Sequence, residues 1–196
     1  MSAEPPSRPG RPRDARRDEE ILEAVLRLLE HTSYSELTIA AIARSAGVGK
    51  PTLYLRWPSK AAVVAEAVVR VLSADPFPDR GDVRSDLVAG LRDMIHLFTT
   101  TGAGRVLPGL VADLHDDPDL LAAFSERYFL PRRRSARAAL ERGVARGELA
   151  EGLDLELIVD LLVGPVYYRI LARGEKIEIS AEDLTAAVLR AAAPPA

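Results

Sequence analysis

Residues 38–60 constrain the fold of this chain more than any other part of its sequence. Apolar residues recur there at helical spacing, stop at Gly47, and resume after a short gap. The apolar positions are Ile39, Ile42, Ala43, Val48 and Leu53. Glycine can take the positive φ that ends a helix, and the small Ala43 lets a second helix cross close to the first. The pattern therefore predicts two short helices joined by a tight corner.

The second of these helices is expected to point its polar residues outward. Pro51 falls in its first turn, where the missing N–H costs no helical hydrogen bond. The predicted exposed set contains cations, a hydroxyl and a phenol, and no acid: Lys50, Thr52, Tyr54 and Arg56. A helix of this kind suits the major groove of DNA, where side chains contact base edges and cations meet phosphates.

Several short segments of the chain together match one known pattern. They are Leu37-Thr38, Ile42-Ala43, Ala46-Gly47-Val48, Thr52-Leu53-Tyr54, Trp57-Pro58-Ser59-Lys60, and Gly164-Pro165-Val166-Tyr167-Tyr168-Arg169. This set resembles the TetR/AcrR family of helix-turn-helix transcriptional repressors that respond to ligands. Two residues depart from the family pattern. Trp57 replaces the usual Phe and keeps an aromatic plug, whereas Gly49 replaces the usual Ser and removes a hydroxyl that could cap the second helix.

The resemblance implies an all-α protein with an N-terminal three-helix DNA-binding head and a larger C-terminal helical domain for ligand binding and dimerisation. Its partners would be a double-stranded DNA operator, a second copy of the chain and a largely apolar small-molecule effector, and no cofactor is implied. The residues expected to contact DNA are Thr38, Lys50, Pro51, Thr52, Tyr54, Arg56, Trp57 and Lys60. For Thr38 the plainer interpretation is a helix cap alone, and for Lys60 it is a surface lysine.

Residues 1–13 are rich in proline and arginine and cannot build a packed core, so a disordered arm is expected. Arg8, Arg11 and Arg13 surround Gly10 there. Extended arginines suit the negative potential of A·T-rich minor grooves, so Arg11 and Arg13 are further candidates for DNA contact. A solvated tail is the equally open alternative.

Charge is distributed unevenly along the chain. The formal net charge is −3, but residues 1–60 hold ten Lys and Arg against eight Asp and Glu, whereas residues 61–196 hold sixteen against twenty-one. This asymmetry predicts a DNA-facing head on an acidic body. The absence of cysteine excludes disulfides and thiolate chemistry. No window holds the roughly 18 consecutive apolar residues of a membrane helix, so a cytoplasmic protein without a membrane partner is expected.

Helix signals divide the chain into a head and a body. Residues 14–60 are predicted to form the head, whose first helix covers residues 14–31 with one apolar stripe. A connecting helix over residues 59–74 follows, with Ser59 as its cap. Residues 75–196 keep helical spacing without period-two alternation, so this domain is predicted to be all helix.

Two more features of the body can be placed from the sequence. Asp117-Pro118 is a good helix start, and the helix that begins there is expected to kink or break at Pro131 and to end at Gly147. The last two helices carry more apolar surface than a monomer easily hides, which predicts a four-helix dimer seam. The seam residues are expected to be Leu161, Leu162, Val166, Ile170, Leu184 and Val188.

Stacked helices can also enclose a ligand pocket. The apolar and amphipathic residues expected around it are Met94, Phe98, Leu110, Phe124, Tyr128 and Tyr167. For each of them the alternative is an ordinary place in the core. The sequence does not identify the ligand.

Enzymatic interpretations find little support. The cluster Asp113, His115, Asp116 and Asp117 could ligate a metal, but consecutive residues between helices do not converge on one ion, and helix capping explains them better. No phosphate-binding glycine loop and no nucleophile elbow is present. The sequence therefore predicts a dimeric DNA-binding regulator, and most simply a repressor released by a ligand. An activator or dual regulator on the same scaffold, or a helical ligand-binding protein without DNA binding, remains open.

Overall fold

The computed structural model describes residues 15–72, 77–173 and 179–192. Within these ranges the chain is all-α, as predicted, and contains no strand. The expected arm, with Arg11 and Arg13, lies outside the described residues. No described helix is both long and apolar enough to span a lipid bilayer.

Ten α-helices and two π-helical turns make up the described part of the chain. The first four are α1 (Ala15–Leu29), α2 (Ile39–Ser45), α3 (Lys50–Tyr54) and α4 (Lys60–Leu72). The remaining six are α5 (Val83–Thr100), α6 (Ala103–His115), α7 (Pro118–Phe124), α8 (Leu130–Ala145), α9 (Leu155–Tyr168) and α10 (Ala181–Ala191). The π-helical turns cover Ser125–Phe129, before α8, and Arg169–Arg173, after α9.

The head is built by α1, α2 and α3 around one small core. Helix α1 packs against α2 and α4, and α2 packs against α3. Ile21, Ile42 and Leu53, one from each head helix, are fully buried. The positive φ of Gly47 turns the chain between α2 and α3, which confirms the predicted corner.

Helix α4 connects the head to the body. The hydroxyl of Ser59 accepts a hydrogen bond from the Ala62 N–H at 3.1 Å, so Ser59 caps this helix as predicted. Nine of its thirteen residues are buried, because α4 packs against α1 on one side and against α6 and α7 on the other. Any tilt of α4 must therefore disturb both parts of the molecule.

The body is a stack of helices in which α5 contacts α6, α8 and α10, and α9 contacts α8 and α10. Asp117 caps α7 by accepting from the Leu120 N–H, and Gly147 ends α8 with positive φ, both as predicted. Helix α7 passes into α8 through a π-helical turn, in which the Leu130 N–H donates to the Ser125 carbonyl. This wider turn lies immediately before Pro131, so the chain continues as one interrupted helix at the predicted kink.

Candidate nucleic-acid interface and effector cavity

The start of each helix in the corner determines how firmly it is held. The Thr38 hydroxyl accepts a hydrogen bond from the Ala41 N–H at 3.1 Å, so Thr38 caps α2 while its side chain remains exposed. Gly49 takes the corresponding position before α3 and supplies no side-chain cap. Helix α3 therefore begins without the hydroxyl cap that Ser would give, as the sequence predicted.

Helix α3 presents neutral and cationic residues to solvent. Lys50, Pro51 and Tyr54 are exposed, Thr52 is half-buried, and the five-residue helix contains no acid. We call these four residues the α3 face. Leu53, on the opposite side of the helix, is fully buried in the head core. The α3 face therefore offers an ammonium, a hydroxyl and a phenol to an external partner.

Two predicted DNA-contact residues face inward. Trp57 is only 5% exposed, and its indole N–H donates to Glu66 on α4 at 2.8 Å. This corrects the expectation that Trp57 contacts DNA, because an aromatic plug in the head core cannot also reach a groove. The Arg56 guanidinium pairs with Asp18 on α1 and is half-buried, so it braces α3 against α1 and is not free on the surface.

Lys60 has partners inside the protein. Its ammonium donates to the Tyr34 carbonyl at 3.0 Å and lies 4.0 Å from the centre of the Tyr34 ring. It is half-buried, in contrast to the free surface lysine considered from the sequence. Lys60 therefore ties the start of α4 to the loop between α1 and α2.

The same loop is attached to α6 in the body. The Tyr34 hydroxyl donates to the Asp113 carboxylate at 2.5 Å. Burial and this hydrogen bond raise the pKa of Tyr34 well above its usual value, so the phenol stays protonated. A Cβ at Gly109 would meet the Tyr34 ring at 2.6 Å, which shows how closely α6 approaches the head. Arg105, also on α6, donates to the Leu29 and Glu30 carbonyls at the end of α1.

A half-open cavity of about 390 Å³ lies between α5, α8 and α9 in the body. We call it the effector cavity, because its size and mostly apolar wall are typical of small-molecule sites. Met94 and Tyr167, both predicted from the sequence, line it together with the charged residues Arg132, Arg133 and Asp160. The remaining wall is formed by Phe77, Phe129, Val159, Val163 and Gly164.

The other four predicted pocket residues do not line this cavity, which corrects the sequence expectation. Leu110 and Tyr128 are buried in the core of the body. Phe98 lines a separate cavity of about 610 Å³ between α1, α4 and the junction of α5 with α6. Phe124 lines a depression between α4 and α7. Core and cavity walls have the same apolar helical spacing, so the sequence pattern could not separate them.

Aromatic rings connect the effector cavity to its surroundings. Tyr167 makes edge contacts with Phe98 and Phe129, at centroid distances of 5.8 and 5.9 Å. Its hydroxyl shares a 3.1 Å hydrogen bond with the Tyr128 hydroxyl. Burial raises the pKa of both phenols, so both keep their protons. The cavity is therefore bounded by a continuous aromatic cluster that reaches α5 and the turn before α8.

The predicted dimer seam needs a larger correction. Leu162, Val166, Ile170, Leu184 and Val188 are all buried within the single chain, where α9 and α10 pack on the body. Of the six predicted residues only Leu161 is exposed, at 47%. In the described part of the body, the exposed large apolar residues instead follow one line along α9 and its π-helical turn: Leu157, Leu161, Tyr168 and Leu171. We call these four residues the α9 stripe.

The spacing of the α9 stripe was visible in the sequence. Its members are four, seven and three residues apart, and Gly164 falls between Leu161 and Tyr168 at the same helical interval. A Cβ at Gly164 would meet no atom within 4 Å. The buried residues predicted for the seam pack within the chain, so in this arrangement they are not available to a second copy.

The acidic cluster near the end of α6 serves the fold. Asp113 accepts from Tyr34, Asp117 caps α7, and the ring Nδ1 of His115 contacts the Val111 carbonyl at 2.7 Å. Among the described residues no group of three or more His, Asp or Glu side chains is placed to hold a metal ion. Helix capping and head attachment account for the cluster.

Comparison with known proteins identifies the family of the chain. Residues 21–67 match the family model for bacterial regulatory proteins of the tetR family, and residues 77–191 match the tetracyclin repressor-like C-terminal domain. The chain belongs to the TetR family. This confirms the resemblance seen in the sequence, and it identifies the protein as a transcriptional regulator with a DNA-binding domain and not as an enzyme.

Relatives of similar length support this assignment. The HTH-type transcriptional regulator YdeS of Bacillus subtilis is 35% identical over 175 residues, which are 89% of this chain and 88% of YdeS. The DNA-binding transcriptional repressor TetR of Mycobacteroides abscessus is 26% identical over 156 residues, 79% of this chain and 82% of the relative.

Solved structures share the same architecture. The crystal structure of one TetR family transcription regulator superposes with a TM-score of 0.69 at 36% identity, covering 91% of this chain and 99% of the other. FadR of Bacillus subtilis, solved in complex with stearoyl-CoA, superposes with a TM-score of 0.61 at 17% identity, covering 88% of this chain and 95% of FadR. The second likeness is one of fold alone.

Proposed function

We propose that this TetR-family regulator is a homodimeric repressor that leaves its DNA operator when a small molecule fills the effector cavity. The observation that carries the proposal is the pairing of an exposed, acid-free α3 face with a cavity in the body. Contacts through α6 join the two. Each part of this proposal rests on a separate set of residues.

DNA recognition is assigned to the α3 face. Lys50 and Tyr54 can reach phosphates or base edges, and Thr52 can donate or accept a hydrogen bond in the major groove. Thr38 is exposed beside them and combines its cap with a phosphate contact. Lys60 is a weaker candidate, because its ammonium already has a carbonyl and a ring as partners.

Dimerisation is assigned to the α9 stripe. A helix of five residues reads only a few base pairs, so a second head about one turn of DNA away is needed for a specific site. The stripe places four large apolar side chains on one exposed line, which suits an isologous contact with a second copy of α9. Gly164 would let the two helices approach closely at the centre of that contact.

Helix α6 provides the connection between the cavity and the head. It packs against the π-helical turn after α9, next to the helix that carries Tyr167 in the cavity wall. Its other side holds the head through the Tyr34–Asp113 hydrogen bond and the two carbonyls bound by Arg105. A ligand that shifts α9 against α8 would move α6, and with it the loop that positions α2 and α3.

The required coupling is modest. A ligand releases DNA only if it binds the released geometry more tightly than the DNA-bound geometry. A hundredfold preference corresponds to about 2.7 kcal/mol. The loss or rearrangement of one or two of the α6 contacts could supply a free energy of this order, since single hydrogen bonds to charged groups contribute about 1.5–3 kcal/mol.

Selection of DNA by the full-length chain tests the proposed function. The chain would be incubated with a random double-stranded library, and the retained sequences would be assayed by gel shift and by run-off transcription from a promoter that carries them. We expect a two-fold symmetric sequence, and fewer transcripts when the protein is added. More transcripts would make the protein an activator, and failure to enrich any sequence would overturn the DNA-reading role.

A further inference from the structure

The wall of the effector cavity contains one cation, Arg132, that forms no ion pair with a carboxylate of the described residues. Arg132 lies on α8 in the cavity wall, and its Nη2 donates to the Leu72 carbonyl at 2.9 Å. Its guanidinium carbon lies 5.0 Å from the centre of the Tyr128 ring. Its buried Nε has no hydrogen-bond partner among the described residues. Most buried polar groups in native proteins have a hydrogen-bond partner, so a buried donor without one in a cavity wall is available to a ligand.

The neighbouring charges do not neutralise Arg132. Arg133, the next residue in the wall, already forms ion pairs with Asp160 and with Glu156, the latter at 2.6 Å. Asp160 is also in the wall, so these charges cancel locally. The described wall therefore carries a net charge of one cation, located at Arg132, in an otherwise apolar cavity.

The tyrosine pair adds a second donor. The hydrogen bond between the Tyr128 and Tyr167 hydroxyls uses only one of their two protons. When Tyr128 donates, the Tyr167 proton is free to point into the cavity that Tyr167 lines. Burial keeps both phenols protonated by raising the pKa of each. A ligand atom with lone pairs would find both a cation and a hydroxyl donor there.

We propose that the effector cavity binds a largely apolar molecule that carries one anionic group, and that Arg132 holds that group. A carboxylate fits best, because a guanidinium offers it parallel N–H donors and its charge is already desolvated at the site. The apolar part of the ligand would lie against Met94, Phe129 and Val159. This inference rests on the proposed effector role of the same cavity and defines the chemical class of the effector.

Two fluorescent probes with a shared ring system test the charge directly. Anilinonaphthalene sulfonate carries one anionic group, whereas phenylnaphthylamine has the same rings without it. Both would be titrated into the full-length dimer and into Arg132→Gln. We expect Arg132→Gln to weaken binding of the sulfonate about tenfold or more, because a charge-assisted hydrogen bond is lost. Binding of phenylnaphthylamine should be unchanged.

Three further variants locate and control the effect. Arg132→Lys restores the charge without the planar fork, so sulfonate binding should recover in part. Arg134→Gln removes an exposed cation two residues along α8 and should change neither affinity. Val163→Trp fills the cavity and should weaken both probes. Thermal unfolding of each variant shows whether the loss of the Leu72 contact, rather than of the charge, affects the fold.

Three results would overturn the proposal. One is an equal loss of affinity for both probes in Arg132→Gln, which would mean that Arg132 only shapes the cavity. Another is sulfonate binding that does not change in Arg132→Gln, and the third is sulfonate binding that survives Val163→Trp. DNA affinity measured in the presence of each probe separates the proposed effector function of the cavity from its proposed recognition of an anion. Release of DNA by both probes, independent of Arg132, keeps the effector function and removes anion recognition. Binding of the sulfonate that depends on Arg132 but does not release DNA keeps anion recognition and removes the effector function.

Discussion

The head presents its candidate functional side chains on a surface, whereas the body arranges its own around a half-open cavity. In the head, the exposed α3 face and the exposed Thr38 are available to a partner, and Trp57 and Leu53 pack behind them. In the body, Arg132 and Tyr167 line the cavity, and the large apolar side chains that are exposed among the described residues form the α9 stripe. The difference teaches that an open surface suits a large partner, whereas a cavity of this size suits a small one.

The contact between these regions combines an apolar core with polar ties, because one hydrophobic cluster runs through α4 from the head into the body. Tyr34, Arg105 and Asp113 supply hydrogen bonds across it, and Gly109 allows the close approach of α6 to the Tyr34 ring. Polar contacts of this kind can be exchanged for others when the two regions move against each other. Each prediction below changes one region and measures the response of one or both.

The largest effect is expected from a change in the body that is read out in the head. Leu157→Glu combined with Leu161→Glu places two carboxylates in the α9 stripe, where a second copy would have to bury them. We expect a monomeric chain by sedimentation velocity, and DNA affinity lower by about a hundredfold or more because the two heads are no longer joined. Ala122→Glu, at an exposed position on α7, is the control and should stay dimeric. A double variant that remains dimeric would show that the stripe is not the seam.

A smaller effect should stay confined to the head. Lys50→Ala should weaken all DNA sequences alike and flatten the salt dependence of binding, because a phosphate contact is lost. Thr52→Val should instead change the preferred sequence, with a cost of about 1–3 kcal/mol at the base pair concerned. Affinities measured across salt concentrations and against a panel of operator variants separate the two. Neither change should alter self-association. A shift in the dimer dissociation constant would contradict the assignment of DNA contact to the head and of self-association to the body.

The head was easier to predict from the sequence than the body, and the reason is physical. Gly47, Pro51 and Ser59 act through local backbone geometry, so their roles could be inferred from neighbours in the chain. Trp57 was misplaced because its partner, Glu66, is on another helix. Whether a residue in or next to a short helix is buried or exposed depends on how the neighbouring helix packs, which local sequence does not show.

In the body, tertiary packing decided almost every assignment. Leu162 and Leu161 are adjacent and equally apolar, yet one is fully buried in the chain and the other is 47% exposed. Helical spacing shows that both belong to apolar surfaces but not which surface is covered by the chain itself. Arg132 was not singled out because four of the residues from Pro131 to Ser135 are prolines or cations. Only the structure shows which guanidinium lies in the cavity wall without forming an ion pair with a described carboxylate. Buried charge is a three-dimensional property.

A third prediction concerns the stability of the protein at alkaline pH. It compares Tyr34, where the head meets the body, with Tyr128 and Tyr167 at the cavity. The folded-state pKa values of Tyr34, Tyr128 and Tyr167 are raised above the unfolded value of about 10, so the unfolded chain loses these protons first. Their contribution to the free energy of unfolding is complete below about pH 10. It is lost above that pH, at up to about 1.4 kcal/mol per pH unit for each tyrosine. Urea unfolding between about pH 8 and pH 11 measures this loss.

Single phenylalanine variants separate the tyrosines. Tyr34→Phe and Tyr167→Phe should each make the alkaline loss of stability less steep. Tyr34→Phe should weaken the effect of a cavity ligand on DNA affinity without changing ligand binding, whereas Tyr167→Phe should weaken ligand binding itself. Stability curves that remain parallel to that of the unchanged chain would contradict the assignment of these groups.

The smallest effects compare matching helix caps in the two regions. Thr38→Ala and Ser180→Ala each remove one hydroxyl cap, from α2 and from α10, and should each cost about 1 kcal/mol in the free energy of unfolding. Only Thr38→Ala should also lower DNA affinity, because only this hydroxyl lies beside the α3 face. Equal DNA affinities for the two variants would limit Thr38 to its cap.

The number of chains on one operator tests the central claim most directly. Sedimentation equilibrium of the full-length chain with a selected DNA duplex measures the mass of the complex as protein is added. The account predicts that chains bind in pairs, so that complexes with an even number of chains form and a single bound chain does not accumulate. A duplex saturated by one chain, with the affinity of the unchanged protein, would contradict it.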